Sequence, residues 1–522
     1  MLAALGIYIF LSFERLGSFP PVGEDEPWIA AAPFKLVTQG TYGSDLFAGY
    51  YGLERHNFEH MPLYPLMQAA VFRLIGVGVV PMRVLPVACG FCLLLAIAVV
   101  GRQVGGDRVA AGAVALMIVL RIADGGDRSG ILLLDQARVN RYDIAVPVFA
   151  LLALWTFNRA SNEKSARLYA ATGVLTGLAT LSHLFGVLEL PVFVALTLAG
   201  RRSGRSTYRD ASAIVFGFAL TLVPWVAYVA TGWRDFLGQT RYWGPRMNLL
   251  SPSFYVSNAL HGAGPISLDW ALTELRDLPL SRIGTWVAII GVPVASVVMI
   301  REARRSGRTE LRTLPITTIS LVVLFAALLK LKSVNYMIGI WPFAVLLMSW
   351  FAVWLWDRRR RLARATVVVL LGLVAVEGTI RIVHMRSAAR LTTSYDWFES
   401  QIARCIPDGS LVLGLQHYWL GLRQYPFRSW LVPMDLANPL YYHEPMTLDR
   451  AIDHVGPDVI LIDRYIEALF ENGRDPNRHP DHELYLGFTE YLARHRVEPA
   501  CVIRDSTYGT MQVFRVSRPP AG

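Results

Sequence analysis

Glu24, Asp25 and Glu26 are three consecutive carboxylates standing just beyond a first apolar stretch, Met1 to Phe13, and they run directly into Pro27-Trp28. A carboxylate held at the edge of an apolar region is equipped to take a proton from a hydroxyl, the work of a general base. A second set of ionisable residues lies at the ends of later apolar runs: His60, Arg83, Arg138, Arg141, Asp143, His183, Lys330 and Lys332. Such positions are costly to keep charged unless the charge is paired or used. Carboxylates and cations together suit a substrate that carries both a hydroxyl and a phosphate, because fixed cations can meet the charge developing on a departing phosphate. A phosphate leaves without a general acid, so one carboxylate near the acceptor suffices, unlike the pair needed for glycoside hydrolysis. Each residue also has an ordinary reading. Glu24 to Glu26 could be solvated loop charges, Arg138 and Arg141 headgroup contacts or partners of Asp143, and His183 a satisfied helix-end histidine. Their convergence on one side favours a site.

That convergence depends on topology. The chain has 522 residues, 53% hydrophobic and 17% charged, too apolar for a soluble globule and long enough for many spans. Its formal charge of +10 does not point to nucleic acid, because the arginines sit in short runs between apolar segments. Five basic loops, around Arg102, Arg159, Arg201, Arg301 and Arg358, fall on a single side when residues 61–80 form an interfacial helix and do not cross. The expected crossings are then 1–14, 83–101, 108–122, 143–158, 167–182, 184–200, 211–231, 282–300, 313–329, 335–356 and 365–383. The positive-inside rule puts those loops in the cytoplasm, and the candidate site residues at the outer rim.

The expected fold is therefore an all-α polytopic membrane protein of about 11 transmembrane helices, with interfacial helices in the first outer loop and a small C-terminal α/β soluble domain. The expected division is 1–383 for the membrane domain and 384–522 for an extracytoplasmic domain. In the latter, Ser410 to Leu415 and Asp458 to Ile462 read as buried strands, and Val502 to Arg504 and Met511 to Val516 flank Tyr508-Gly509 as a hairpin. The four cysteines show no zinc spacing; Cys89 and Cys92 read as packing residues, and pairing of Cys405 with Cys501 stays open.

Several motifs now carry a resemblance. Asp25-Glu26 with Trp28-Ile29-Ala30 and Gly40-Thr41-Tyr42 is followed by His60-Met61-Pro62-Leu63-Tyr64-Pro65 and by Met82-Arg83-Val84-Leu85-Pro86. Then come Ala137-Arg138-Val139-Asn140-Arg141-Tyr142-Asp143, Gly177 through His183, and Asn335-Tyr336 with Pro342. This series resembles the GT-C glycosyltransferases, in the branch of the protein mannosyltransferases and the lipid A aminoarabinose transferase. The resemblance implies an inverting transferase that moves a sugar from a polyprenyl-phosphate donor to a hydroxyl of a glycan, lipid or protein acceptor at the outer membrane face. It implies Asp25 as the catalytic carboxylate with Asp143 supporting it. His60 and His183 stand where lysines of the aminoarabinose branch would bind the donor phosphate, which shifts that task towards Arg138, Arg141 and Lys332. Glu26, Arg83 and Tyr336 complete the expected substrate-binding set. No cofactor is required; a divalent cation bridging Asp25 or Glu26 to phosphate is compatible with the sequence, which offers no ligand cluster demanding one. The rival reading is a transporter or flippase of polyprenyl-linked sugars, for which midplane charge and paired repeats would be the signs.

Overall fold

The computed structural model describes residues 1–122, 126–200, 205–241, 251–261, 282–329, 333–358 and 360–517. Lys330, Lys332 and most of the expected outer loop 232–281 lie outside the described residues.

Each apolar run in the first three quarters of the chain forms a helix. Six are long and apolar enough to cross a bilayer: Val79–Gly105, Tyr142–Glu163, Ser206–Thr231, Ile283–Ser306, Glu310–Leu328 and Arg361–Ala403. Leu2–Phe13, Leu63–Ile75, Leu184–Leu198 and Trp341–Asp357 are apolar but shorter. The expected crossing 108–122 becomes Asp107–Val119, and 167–182 becomes Ala166–Ser182. Helices thus stand at all eleven expected places, while length and composition support six as spans among the described residues. Residues 63–75 make a 13-residue helix, about 20 Å long at 1.5 Å per residue and too short to cross alone.

Two helix ends differ from expectation for an electrostatic reason. The helix expected to start at 83 starts at Val79, with Arg83 wholly buried in its first turns, because Glu26 neutralises it from another helix. The last apolar helix runs on to Leu391, past the expected 383. Its arginines find partners: Arg381 donates to the carbonyls of Gly126 and Arg128, and Arg386 pairs with Glu14.

Small residues decide how closely the bundle packs. A Cβ on Gly173 would lie 1.9 Å from the Ile214 carbonyl oxygen, and one on Gly217 would lie 2.1 Å from that of Ala170. The Ala166–Ser182 and Arg205–Thr231 helices therefore touch backbone to backbone, the close approach that small residues permit between membrane helices.

Beyond the last span the chain forms a five-stranded sheet in the order β2-β1-β3-β5-β4. Strands β1 (Val412–Gly414), β2 (Phe427–Ser429) and β3 (Val459–Asp463) are mutually parallel, and β4 (Arg496–Asp505) and β5 (Gly509–Ser517) form an antiparallel hairpin against β3. The run Val459-Ile460-Leu461-Ile462 is buried throughout, as befits a central strand covered on both faces. The hairpin turns at Gly509, whose φ of +81° lies in the left-handed region glycine tolerates. Cys405 and Cys501 form a disulfide that ties β4 to the chain just after the Tyr395–Ala403 helix. Cys89 is a buried free thiol, and Cys92 is free and exposed.

The apolar core comes in two main bodies. One fills the helix bundle. The other joins the sheet to the segment after the first helix: Val412, Ile460 and Phe398 pack in the same cluster as Ala30, Ala31, Phe47 and Met82. The C-terminal elements are thus seated on the Asp25–Gln39 helix.

Candidate active site

Asp25 and Glu26 occupy the first turn of the Asp25–Gln39 helix, where a carboxylate is favoured by the helix dipole. One residue of rotation sends them to different places. Glu26 turns inward, and its carboxylate accepts from Arg83 Nη2 at 2.6 Å and Nε at 2.8 Å, and from the Asn140 amide at 3.0 Å. Asn140 is fixed in turn by the Tyr64 hydroxyl at 2.8 Å. Arg83 also donates to the Leu16 carbonyl at 2.9 Å. Arg138 spends its guanidinium on the carbonyls of Leu11, Glu14 and Phe19. Glu26, Arg83 and Arg138 therefore lie beneath the site as a buried framework. Of these three, expected to bind substrate, Glu26 and Arg83 pair with one another, and Arg138 donates to carbonyls of the turn between the first helix and the Asp25 helix.

Asp25 turns outward. Its side chain is 38% exposed, and Oδ2 accepts from Arg141 Nη1. The Nε of the same arginine donates to Asp143 Oδ2 at 2.8 Å. Arg141 thus bridges the two carboxylates expected to work together, although they lie over a hundred positions apart in sequence. Asp143 is 3% exposed, and its Oδ1 is buried without a hydrogen-bond partner. A buried carboxylate oxygen left open in this way is an acceptor awaiting a donor.

Aromatic rings wall the trio. Tyr142 stacks on His183 with centroids 4.8 Å apart, and His183 continues to Tyr336 at 5.9 Å and Phe185 at 4.0 Å. His60 lies between Trp28 at 5.2 Å and Tyr142 at 5.5 Å, and its Nδ1 is also buried without a partner. Tyr336 stands on the short turn Val334–Gly339, which is linked to Gln136 through Asn335. The expected residues Asp25, Asp143, Arg141, His60, His183 and Tyr336 are therefore gathered in one place; Lys332 lies outside the described residues.

The two histidines are held as neutral rings. Burial, the neighbouring His183 and Arg141 push His60 down to about 3, and burial lowers His183 to about 4 despite the attraction of Asp143. Neither ring carries a full positive charge near neutral pH. An unfolded chain takes up protons on these residues near pH 6.5, whereas the folded one resists down to about 4, so stability falls as pH drops through that window. Thermal unfolding in detergent at pH 7 and pH 4.5 is expected to show a smaller acid loss for His183→Asn than for the parent. Parallel losses would refute the neutral burial of His183.

The C-terminal elements add residues that sequence reasoning missed. His417 stands on the Gln416–Tyr418 turn, packed against the Asp25 helix, and its ring feels both Asp25 and Glu26. Its Nδ1 is buried without a partner, and Tyr465 stacks on it at 5.7 Å. Arg464 follows, with its guanidinium over the Tyr465 ring. On the opposite flank, Trp28 Nε1 donates to Glu59 at 3.0 Å, and burial with the nearby Asp435 raises the Glu59 carboxyl to about 8. No local signal marks His417 or Arg464, because they reach the site only through the sheet. Among the described residues no three histidines, cysteines or carboxylates converge as a metal site, and between Asp25 and Asp143 the place of a cation is held by Arg141.

Comparison with known proteins extends this picture. The family model for dolichyl-phosphate-mannose-protein mannosyltransferase matches residues 59–228. Sequence comparison with curated proteins returns no match. Among solved structures, the chain is similar to ArnT from Cupriavidus metallidurans bound to undecaprenyl phosphate, with a TM-score of 0.62 and 17% identity over 99% of each chain. It is also similar to the oligosaccharyltransferase AglB from Archaeoglobus fulgidus in complex with an inhibitory peptide and a dolichol-phosphate. There the TM-score is 0.57 and the identity 11%, over 99% of this chain and 74% of that one. The arabinofuranosyltransferase AftD from Mycobacteria gives 0.52 and 13%, over 99% of this chain but 40% of that one. At these identities the likeness speaks for the fold alone, and the family match covers residues 59–228, about a third of the chain.

Proposed function

We propose that the protein is an inverting glycosyltransferase that takes a sugar from a polyprenyl-phosphate donor and passes it to an acceptor hydroxyl at the outer face of the membrane. The observation that carries the reading is the outward Asp25 carboxylate joined through Arg141 to a buried Asp143 with an open oxygen.

In this reading Asp25 accepts the proton of the acceptor hydroxyl as its oxygen attacks the anomeric carbon. The bond from that carbon to the phosphate oxygen breaks, and polyprenyl phosphate departs with the bonding pair. Attack from the face opposite the leaving group inverts the centre. Asp143 orients Arg141 and, through Oδ1, a sugar or acceptor hydroxyl; Arg141, with Arg464 on the other side, meets the phosphate charge. The neutral His60, Tyr142, His183 and Tyr336 provide flat faces for the sugar. Glu26, Arg83 and Arg138 act as positioning residues. Eleven crossings, with residues 1–383 as the membrane domain and 384–522 outside, complete the proposal. The Cys405–Cys501 disulfide supports an oxidising, extracytoplasmic setting for the C-terminal elements. The neighbours bound to undecaprenyl phosphate, and to a dolichol-phosphate with an inhibitory peptide, support the partner classes.

The test is turnover by the purified protein in detergent, given a donor labelled in its sugar and candidate glycan, lipid and peptide acceptors. Release of polyprenyl phosphate with transfer of label is expected. Donor binding without release under every acceptor would overturn the reading in favour of transport.

A further inference from the structure

A second polar cavity lies at the other end of the bundle. Its volume is about 570 Å³, within the usual range of ligand pockets. The Tyr142–Glu163 helix leaves the Asp143 site and reaches this cavity with Phe157 and Ser161, fourteen or more residues along and so about 20 Å away. The Ala166–Ser182 helix makes the return journey, from Tyr169 in the cavity to His183 at the site. The two chambers share walls but not space.

Cations dominate one wall. Arg304, Arg308 and Arg312 line it from the end of the Ile283–Ser306 helix, across Gly307, into the start of the Glu310–Leu328 helix. Arg308 is partly spent on the carbonyls of Gln103 and Val104 at 3.2 and 3.0 Å. Arg312 is different: its Nε is buried and has no hydrogen-bond partner, an arrangement that is costly unless an anion arrives. The one carboxylate among the lining residues, Asp210, is already paired with Arg209 at 3.0 Å. Thr313 does not compete for the anion, since its hydroxyl donates to Asn158 at 2.6 Å. Phe157 and Leu196 supply an apolar side to the cavity, so half of it suits a charged group and half suits carbon.

We propose that this cavity binds a phosphate group, held by Arg312 and Arg304 and presented by either an anionic lipid headgroup or free phosphate. A basic pocket between membrane helices is the setting in which anionic headgroups are recognised. The site is independent of the transfer reaction, so its test does not require turnover.

The full-length protein in detergent is mixed with dioleoylphosphatidylglycerol or with dioleoylphosphatidylcholine, and retained lipid is counted by native mass spectrometry. Its thermal shift in millimolar inorganic phosphate is measured alongside. Preferential retention of phosphatidylglycerol, reduced about tenfold by Arg312→Gln and by Arg304→Gln, supports the lipid source. A thermal shift with phosphate that both variants lose, without lipid preference, supports the free ion. Arg304 is exposed, so Arg304→Gln decides the matter if Arg312→Gln fails to fold. Absence of any binding by the parent, or binding equal in parent and variants, overturns the proposal.

Discussion

Asp25→Asn is expected to reduce sugar transfer by about 10²–10⁴-fold, the range for loss of a general base, while the protein stays folded. The amide keeps the shape of the side chain and can still lie against Arg141, but it cannot hold the acceptor proton. Folding should be little affected, because Asp25 is over a third exposed and a pair in that setting contributes roughly 0–1 kcal/mol. Arg141 keeps its second partner in Asp143. The measurement is release of polyprenyl phosphate by parent and variant, with gel filtration and thermal unfolding as controls for folding. Turnover by the Asn variant within threefold of the parent would remove Asp25 from the chemistry.

Glu26→Gln, one residue along, should do the opposite damage. It leaves the Arg83 guanidinium, which has no exposed surface, without its counter-charge, and an uncompensated buried charge typically costs about 3–5 kcal/mol. The Asn140 amide loses its carboxylate acceptor as well. The expected result is a large fall in thermal stability in detergent, partly reversed by adding Arg83→Met, since that removes the buried charge left without its partner. If Glu26→Gln unfolds at the same temperature as the parent, the ion pair is not what fixes this turn. The neighbouring carboxylates Asp25 and Glu26 are thus separable by experiment: one variant folded and inactive, the other unstable.

Sequence periodicity and charge were sufficient to assemble the helices and to bring Asp25, Arg141 and Asp143 to one rim, because hydropathy fixes where each segment begins and ends. The roles of the arginines were not legible. Arg83 and Arg138 sit in motifs beside Arg141 and look equally ready to meet a phosphate. Only coordinates reveal that Arg138 is surrounded by the carbonyls of a turn and Arg83 by a carboxylate. The histidines were ambiguous for a related reason: their charge depends on burial and on Arg141 and Asp143, which come from distant segments. The strands of the C-terminal sheet were readable except for β2, three residues long and without a clear alternation. Its placement over the Asp25 helix was not readable, and with it went His417 and Arg464.

The shared apolar cluster that joins Val412, Phe398 and Ile460 to Ala30, Phe47 and Met82 makes the two regions inseparable as parts. A chimaera that grafts another protein's tail after Leu391 would strip the Asp25 helix of the apolar partners it shares with the sheet, so the tail and the first loop have to be exchanged as a matched pair. Sequence divergence at this contact would then proceed by paired change in both pieces.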